Sequence, residues 1–257
     1  MVSKYLRDIR ESVIEDRLSS VKYLIPVMSP KGGVGKTTIA SLIAGSLVSM
    51  GFKVGMLDLD VTNPTTHVVL GVDVTKLLPK EVKGIEPPTV CGGIKFMTLA
   101  YFTKDSPVPL RGAEIDSVIK ELLAITIWGD LDFLIIDTPP GISDEALDVI
   151  KYFRRGSRVV VVTTPSKLSV KPTEALINVL NESRVPILGV IENMSRGPSY
   201  VKSLCNRYGV NYLGSVPYDI SIEECIGDLS RLLSTRAGKV VNELVSKVIS
   251  EVLSRVG

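Results

Sequence analysis

PKGGVGKTTIASLIAGSLVSM, residues 30–50, begins with three glycines and two lysines in seven positions and continues as an apolar run that stops at Gly51. Ahead of it lies VKYLIPVMS (21–29), a short apolar segment of strand character. Strand, loop and helix in that order put a glycine-rich loop at a helix N-terminus, where free N–H groups and the helix dipole favour an anion. Gly32, Gly33 and Gly35, with Val34 among them, let the backbone turn its N–H groups inward around phosphate oxygens, which a Cβ would obstruct. Lys36 is placed to reach β- and γ-phosphates, Thr37 to put its hydroxyl on Mg²⁺, and Thr38 to donate to an α-phosphate oxygen. The ordinary pattern opens with Gly, and here Pro30 holds that position.

Outward from this loop, short Val- and Ile-rich runs alternate with stretches of helical period. The runs are 53–58, 94–100, 132–137, 158–164, 186–193 and 211–217, and the helix candidates between most of them are 114–127, 143–153, 169–183 and 200–208. Continuous rather than alternating apolar strands imply burial on both faces, so the fold class is α/β, a mostly parallel twisted sheet flanked by helices. No repeat or linker divides the chain, which reads as a single domain over 1–257, with an N-terminal helical extension over 1–20 and a helix over 236–257. The stretch 59–93, rich in Thr, Pro, Lys and Gly, reads as a ligand-responsive loop.

Composition narrows the classes. The chain has 257 residues, 45% of them hydrophobic, and 30 Lys+Arg against 28 Asp+Glu, a net charge of +2. Disorder is excluded, and so is a general attraction for nucleic acid or anionic lipid. Lys239, Glu243, Lys247, Glu251 and Arg255 alternate in sign along the closing helix, which suits packing rather than a membrane surface. Three cysteines, far apart and without a Cys-x-x-Cys pair, give neither a disulfide framework nor a one-chain zinc site. With no leader and no apolar run of spanning length, the expected location is cytoplasmic.

Two acidic strand ends supply the remaining chemistry. LDLDVTNPTT carries Asp58 and Asp60, which strand alternation would point the same way. DFLIIDTPPGISDEAL (132–147) ends its apolar run at Asp137, which would hold Mg²⁺ through water, and its Gly141 would let the backbone approach a γ-phosphate and sense hydrolysis.

Lys31 ahead of GGVGKTT resembles the deviant Walker A motif of the superfamily that includes the MinD, ParA, ArsA and Mrp/ApbC ATPases. That resemblance implies a P-loop NTPase that forms a homodimer with ATP at the interface, where Lys31 reaches the partner's phosphates as a charge stabiliser. It also implies that Asp60 positions or deprotonates the attacking water and that Asp58 accompanies the Mg²⁺ shell. WGDLDFLIIDTPPGISDEAL, PVPLRG (107–112), VVVTTPSKLSV (160–170) and VPILGVIENMS (185–195) are similar to the Mrp/ApbC branch. There Asn193 would read the adenine edge, and the backbone of VPYD, with Pro217, would line the base. Arg111 reads equally as a structural ion pair or a partner contact.

The branch implies iron-sulfur cluster assembly, with delivery of a 4Fe–4S cluster to apo client proteins from a Cys-x-x-Cys shortly after ENMS. Here Ser199 and Lys202 occupy those positions. Cys205 alone would give two thiolates per dimer, half of the usual four, and reads more simply as a small buried hydrophobe. Cys91 and Cys225 have no motif support, and His67, the single His, reads as a packed or surface residue. The expectation is a slow Mg²⁺-dependent ATPase switch, turning over at roughly 10⁻⁴ to 10⁻² per second without a partner, with no stable DNA or membrane binding. The alternatives are a positioning ATPase acting on membrane or DNA and a nucleotide-dependent adaptor without a cluster. ATP is favoured over GTP because no Asn-Lys-x-Asp follows the later strand.

Overall fold

The computed structural model describes residues 8–106, 109–141 and 157–254. Its chain order begins with the helix Ile9–Leu18 (α1), the strand Val21–Met28 (β1), the helix Lys36–Ser49 (α2) and the strand Val54–Asp58 (β2). The helix Thr66–Leu70 (α3) and a hairpin of Lys80–Glu81 (β3) and Ile85–Glu86 (β4) follow, then Thr89–Val90 (β5) and Ile94–Met97 (β6). After the helices Ala100–Thr103 (α4) and Ala113–Ile125 (α5) come the strands Leu131–Asp137 (β7), Val159–Thr163 (β8), Ile187–Ser195 (β9) and Tyr212–Pro217 (β10). Eight strands form one sheet in the order β10-β9-β8-β1-β7-β2-β6-β5. All neighbours are parallel except β5, which turns back antiparallel on β6 at the edge.

The sheet is covered on both faces, as its continuous apolar strands require. Every residue of β2 and of β8 is buried. Along β8 the side chains divide by period two: Val160 and Val162 enter the larger core under α2, while Val159 and Val161 enter a second core with Leu176, Ile177 and Cys205. That second core lies beneath the helices Lys167–Glu182 and Val201–Tyr208. α2 is apolar on most of its circumference, because it packs between the sheet and the helices Leu229–Ser234 and Arg236–Ser254. Gly45 permits that approach, since a Cβ there would stand 3.0 Å from a Leu229 methyl group.

β1 contains Pro26, a residue that ordinarily argues against a central strand because it has no N–H for the ladder. The β7 ladder runs through it, with Pro26 opposite Ile136, whereas β8 pairs with Val27 and Met28 and meets β1 again only at Leu24. The missing donor therefore falls where the β8 ladder is interrupted.

Most expected elements are present with shifted ends. The run 94–100 stops as a strand at Met97 because α4 begins at Ala100. The stretch 59–93 is more ordered than a loop, holding α3, the β3–β4 hairpin and β5. The expected helix 143–153 lies outside the described residues. Among those described, no helix is long and apolar enough to cross a membrane.

Candidate functional site

The loop between β1 and α2 lies at the C-terminal edge of the parallel strands, where open α/β sheets bind ligands. Gly33 and Gly35 have φ of 74° and 78°, in the left-handed region. Gly35 is also sterically fixed, because a Cβ there would run into the Asn193 carboxamide at the end of β9. The Asn193 Nδ2 donates to the Val34 carbonyl at 2.9 Å, so β9 braces the loop. Among the described residues, no atom outside the adjoining loop residues lies within 4 Å of where a Cβ on Gly32 or Gly33 would stand. Packing inside the chain therefore does not demand glycine at Gly32, and a closely approaching ligand would.

At the head of α2 the Lys36 ammonium is paired with the Asp137 carboxylate, and both side chains are buried. Asp137 also accepts from the Thr37 hydroxyl at 2.7 Å and the Thr66 hydroxyl at 3.1 Å. Asp58 stands opposite Asp137 in the β2–β7 register. It accepts from the backbone N–H of Asp60 at 3.1 Å and of Thr66 at 3.3 Å. Burial, reinforced by the Asp137 charge, pushes the Asp58 carboxyl up to about 8. Asp60 is half-buried, held by the Thr62 hydroxyl at 3.2 Å and the Asn63 N–H at 3.3 Å, and burial raises its carboxyl too. β2 ends at Asp58, two residues before Asp60, yet both carboxylates lie within reach of the Lys36 and Asp137 charges, so they serve one site without a strand through both.

Two buried carboxylates and a threonine hydroxyl stand around one ammonium, a hard-oxygen set of the chemistry that small divalent cations take. The turn after β7 is tied to the phosphate loop: Gly141, at φ 94°, donates its N–H to the Ser29 carbonyl at 2.9 Å. Thr38 follows in the first turn of α2, half-buried. Lys31 is half-exposed and makes no ion pair among the described residues.

On the β9–β10 side, Met194 adopts φ 58° directly after Asn193, and Pro217 closes β10, where the Tyr218 N–H bonds the Ser195 carbonyl at 3.0 Å. A cavity of about 450 Å³ opens here, lined by residues that include Pro165, Met194, Arg196 and Tyr218. The Arg196 guanidinium lies 3.7 Å from the Tyr218 ring centroid. Asn193 thus faces the phosphate loop, while its neighbour Met194 lines the cavity.

The structure disperses the thiols. Cys205 is fully buried under the helix Val201–Tyr208, and burial pushes its thiol up to about 11. Cys225 is buried, and Cys91, at φ 46°, donates its thiol to the Leu70 carbonyl at 3.2 Å. No group of three or more His, Cys, Asp or Glu is placed to hold a metal among the described residues. Arg111 is exposed and makes no salt bridge among the described residues, which leaves the structural ion pair without support. His67 is packed, with Nε2 3.2 Å from Asp105. Sequence reasoning missed Thr66 and Thr98 as partners of the buried carboxylates; Thr98 sits 3.5 Å from Asp58. Their signal is positional only, one following β6 and the other opening α3.

Residues 20–253 match the family described as ParA, NUBPL iron-transfer P-loop NTPase. An iron-sulfur cluster carrier protein of Methanocaldococcus jannaschii is 33% identical over 95% of this chain and 89% of the relative. A cytosolic Fe-S cluster assembly factor of Kluyveromyces lactis is 34% identical over 93% of this chain and 93% of the relative. Among solved structures, a nucleotide-binding protein of Archaeoglobus fulgidus in complex with ADP superposes with a TM-score of 0.72 at 30% identity, over 86% of this chain and 92% of that one. The cell division ATPase MinD of Pyrococcus furiosus shares the fold, with a TM-score of 0.66 at 22% identity over 90% of this chain and 99% of that one.

Proposed function

The chain belongs to the ParA/NUBPL iron-transfer P-loop NTPase family, and from that premise we propose that it is a Mg²⁺-dependent ATPase switch, dimeric in its ATP form, that serves iron-sulfur cluster assembly. The observation that carries the reading is the joining of Lys36, Thr37 and Asp137 in one cluster at the head of α2, with Lys31, in the same loop, making no ion pair among the described residues. The phosphate loop would hold the triphosphate, and Lys36 would exchange Asp137 for phosphate oxygens. Bound Mg²⁺ would neutralise charge on the β- and γ-phosphates. Asp60 would orient the attacking water, and Gly141, bonded to Ser29, would carry loss of the γ-phosphate into the turn after β7. Asn193 and the cavity beside Pro217 would take the base.

Dimerisation is supported by apolar exposure on the same edge. Phe102, Tyr218 and Ile220 all follow the C-terminal ends of sheet strands and are 45% or more exposed. Lys31 at such an interface would meet a second copy's phosphates. The test is phosphate release from Mg-ATP together with the mass in solution of Asp60→Asn under ATP. Release above background by wild type, with an ATP-dependent dimer of the variant, supports the reading; no release by wild type, or a variant that stays monomeric in ATP, rejects it.

A further inference from the structure

A cluster-assembly protein has to present iron ligands, and this chain has few. It contains three cysteines and one histidine in all. Cys205 is sealed in the smaller core, Cys225 is buried in the larger one, and Cys91 is bonded to Leu70. His67 is packed against Asp105. Burial raises the Cys91 and Cys205 thiols, which makes them poor ligands because the thiolate is what binds metal, and the half-buried Ser199 hydroxyl is bonded to the Glu192 carboxylate.

The surface above Cys205 has a different character. Residues 157–211 hold seven Lys or Arg against three Glu in a chain whose net charge is only +2. Lys167, Lys171, Arg196 and Lys202 are exposed on the adjoining helices Lys167–Glu182 and Val201–Tyr208 and the loop between them and β9. Of the three acids, Glu192 is fully buried under the Ser199 and Ser215 hydroxyls, Glu174 is engaged by Arg207 and Tyr208, and Glu182 is exposed at the end of its helix far from Lys167. Apolar side chains stand among the cations, with Leu168 82% exposed and Lys167 5.3 Å over the Tyr200 ring. The face also borders the cavity of Met194 and Arg196, so it is continuous with the nucleotide site.

We propose that this chain does not hold its cargo on its own side chains, and that the basic face of Lys167, Lys171 and Lys202 docks a protein which carries the cluster on its own cysteines. A 4Fe–4S core in the 2+ state held by four thiolates has a net charge of about −2, which this face complements, while Leu168 and Tyr200 supply apolar contact. The inference rests on the cluster-assembly reading above, and its tests are separable from that reading.

The first test is anaerobic reconstitution of the full chain with ferrous iron and sulfide. The expected result is no stoichiometric iron or sulfide and no visible charge-transfer band, in wild type and Cys205→Ser alike; a cluster in wild type that is lost in Cys205→Ser overturns the proposal. The second uses a short synthetic peptide with four cysteines, a Cys-x-x-Cys-x-x-Cys run and one further cysteine, loaded with a 4Fe–4S cluster, as a titrated probe in Mg-ATP. It should bind wild type in a salt-sensitive manner and bind the Lys167→Glu, Lys171→Glu, Lys202→Glu triple variant at least roughly tenfold more weakly. No binding, or equal binding by the variant, overturns the docking face. Phosphate release by the same samples reports the ATPase reading independently, because an absence of turnover in wild type rejects that reading whatever the peptide does.

Discussion

The Asn193 carboxamide donates to the Val34 carbonyl at 2.9 Å across 159 positions of sequence, and the same side chain occupies the space a Cβ on Gly35 would need. One contact therefore sets both the position of β9 and the curvature of the phosphate loop. Gly35→Ala would force a left-handed alanine against that carboxamide. It should cost on the order of 1–3 kcal/mol of stability and remove detectable nucleotide binding, whereas Asn193→Ala should keep the fold and weaken binding. Calorimetric titration with ADP and thermal melts of both variants check this; an alanine at position 35 with unchanged affinity would show that the bracing is dispensable.

Lys31 and Lys36 should separate cleanly. Lys31→Ala removes a half-exposed side chain without an ion pair among the described residues, so melting should move by no more than about 0.5 kcal/mol equivalent. Phosphate release should nonetheless drop by about a hundredfold or more if the lysine stabilises transition-state charge. Lys36→Ala leaves Asp137 buried without its cation, and a loss of about 3 kcal/mol or more is expected. Denaturant melts alongside phosphate-release assays separate the two outcomes.

Asp58 gives a pH signature in metal-free protein. Its carboxyl is raised from 3.8 to about 8 by burial and by Asp137, against the opposing Lys36 charge and the Asp60 N–H, with Asp60 itself adding to the rise. Such a group holds a proton in the folded chain that the unfolded chain has released, so its contribution is full below about pH 4 and is lost as pH rises through about 8. With Mg²⁺ chelated, the melting temperature of wild type should therefore fall more between about pH 5 and about pH 9 than that of Asp58→Asn. Equal slopes would place an ionised Asp58 in the folded protein.

Thiol reactivity tests the dispersal of the cysteines. Cys205, fully buried and raised to about 11, should resist iodoacetamide at neutral pH until the protein is denatured. Half-buried Cys91 should react before it. Peptide mass spectrometry after timed labelling reads the order, and early labelling of Cys205 would contradict the packed helix Val201–Tyr208.

Tyr218 and the phosphate loop should contribute separately to affinity. Tyr218→Ala opens the cavity beside Met194 and Arg196, so ATP should bind roughly tenfold more weakly, the effect of losing one base-stacking contact. Inorganic tripolyphosphate should compete as well as it does on wild type. Equal losses for both ligands would place the effect in the loop instead.

The phosphate loop, the strand ending at Asp137 and the parallel sheet were legible in sequence because each is a local pattern: glycines at a strand-helix junction, or an apolar run ending in a carboxylate. What escaped was decided at a distance. α3 is a five-residue helix in a Thr- and Pro-rich stretch, and the Thr66 that opens it is held by Asp58 and Asp137. β5 and the β3–β4 strands are two residues each, too short for any period to register. Pro26 argues locally against a central strand, and the structure accommodates it through a gap in one ladder.

The strand order has a consequence for how the chain is made. β1 pairs with β7 and β8, which begin at Leu131 and Val159, and the Lys36–Asp137 pair spans 101 positions. At ribosomal rates of about 5–20 residues per second, β1 waits on the order of ten seconds for its first neighbour. A growing chain has its phosphate-binding glycines early but no Asp137 to anchor Lys36, so it emerges with an apolar strand unpaired on both sides, an opening for chaperones or for aggregation. The Asn193 brace on the Val34 carbonyl arrives only with β9, so the glycine loop takes its final curvature in a nearly finished protein and can guide little of the early folding.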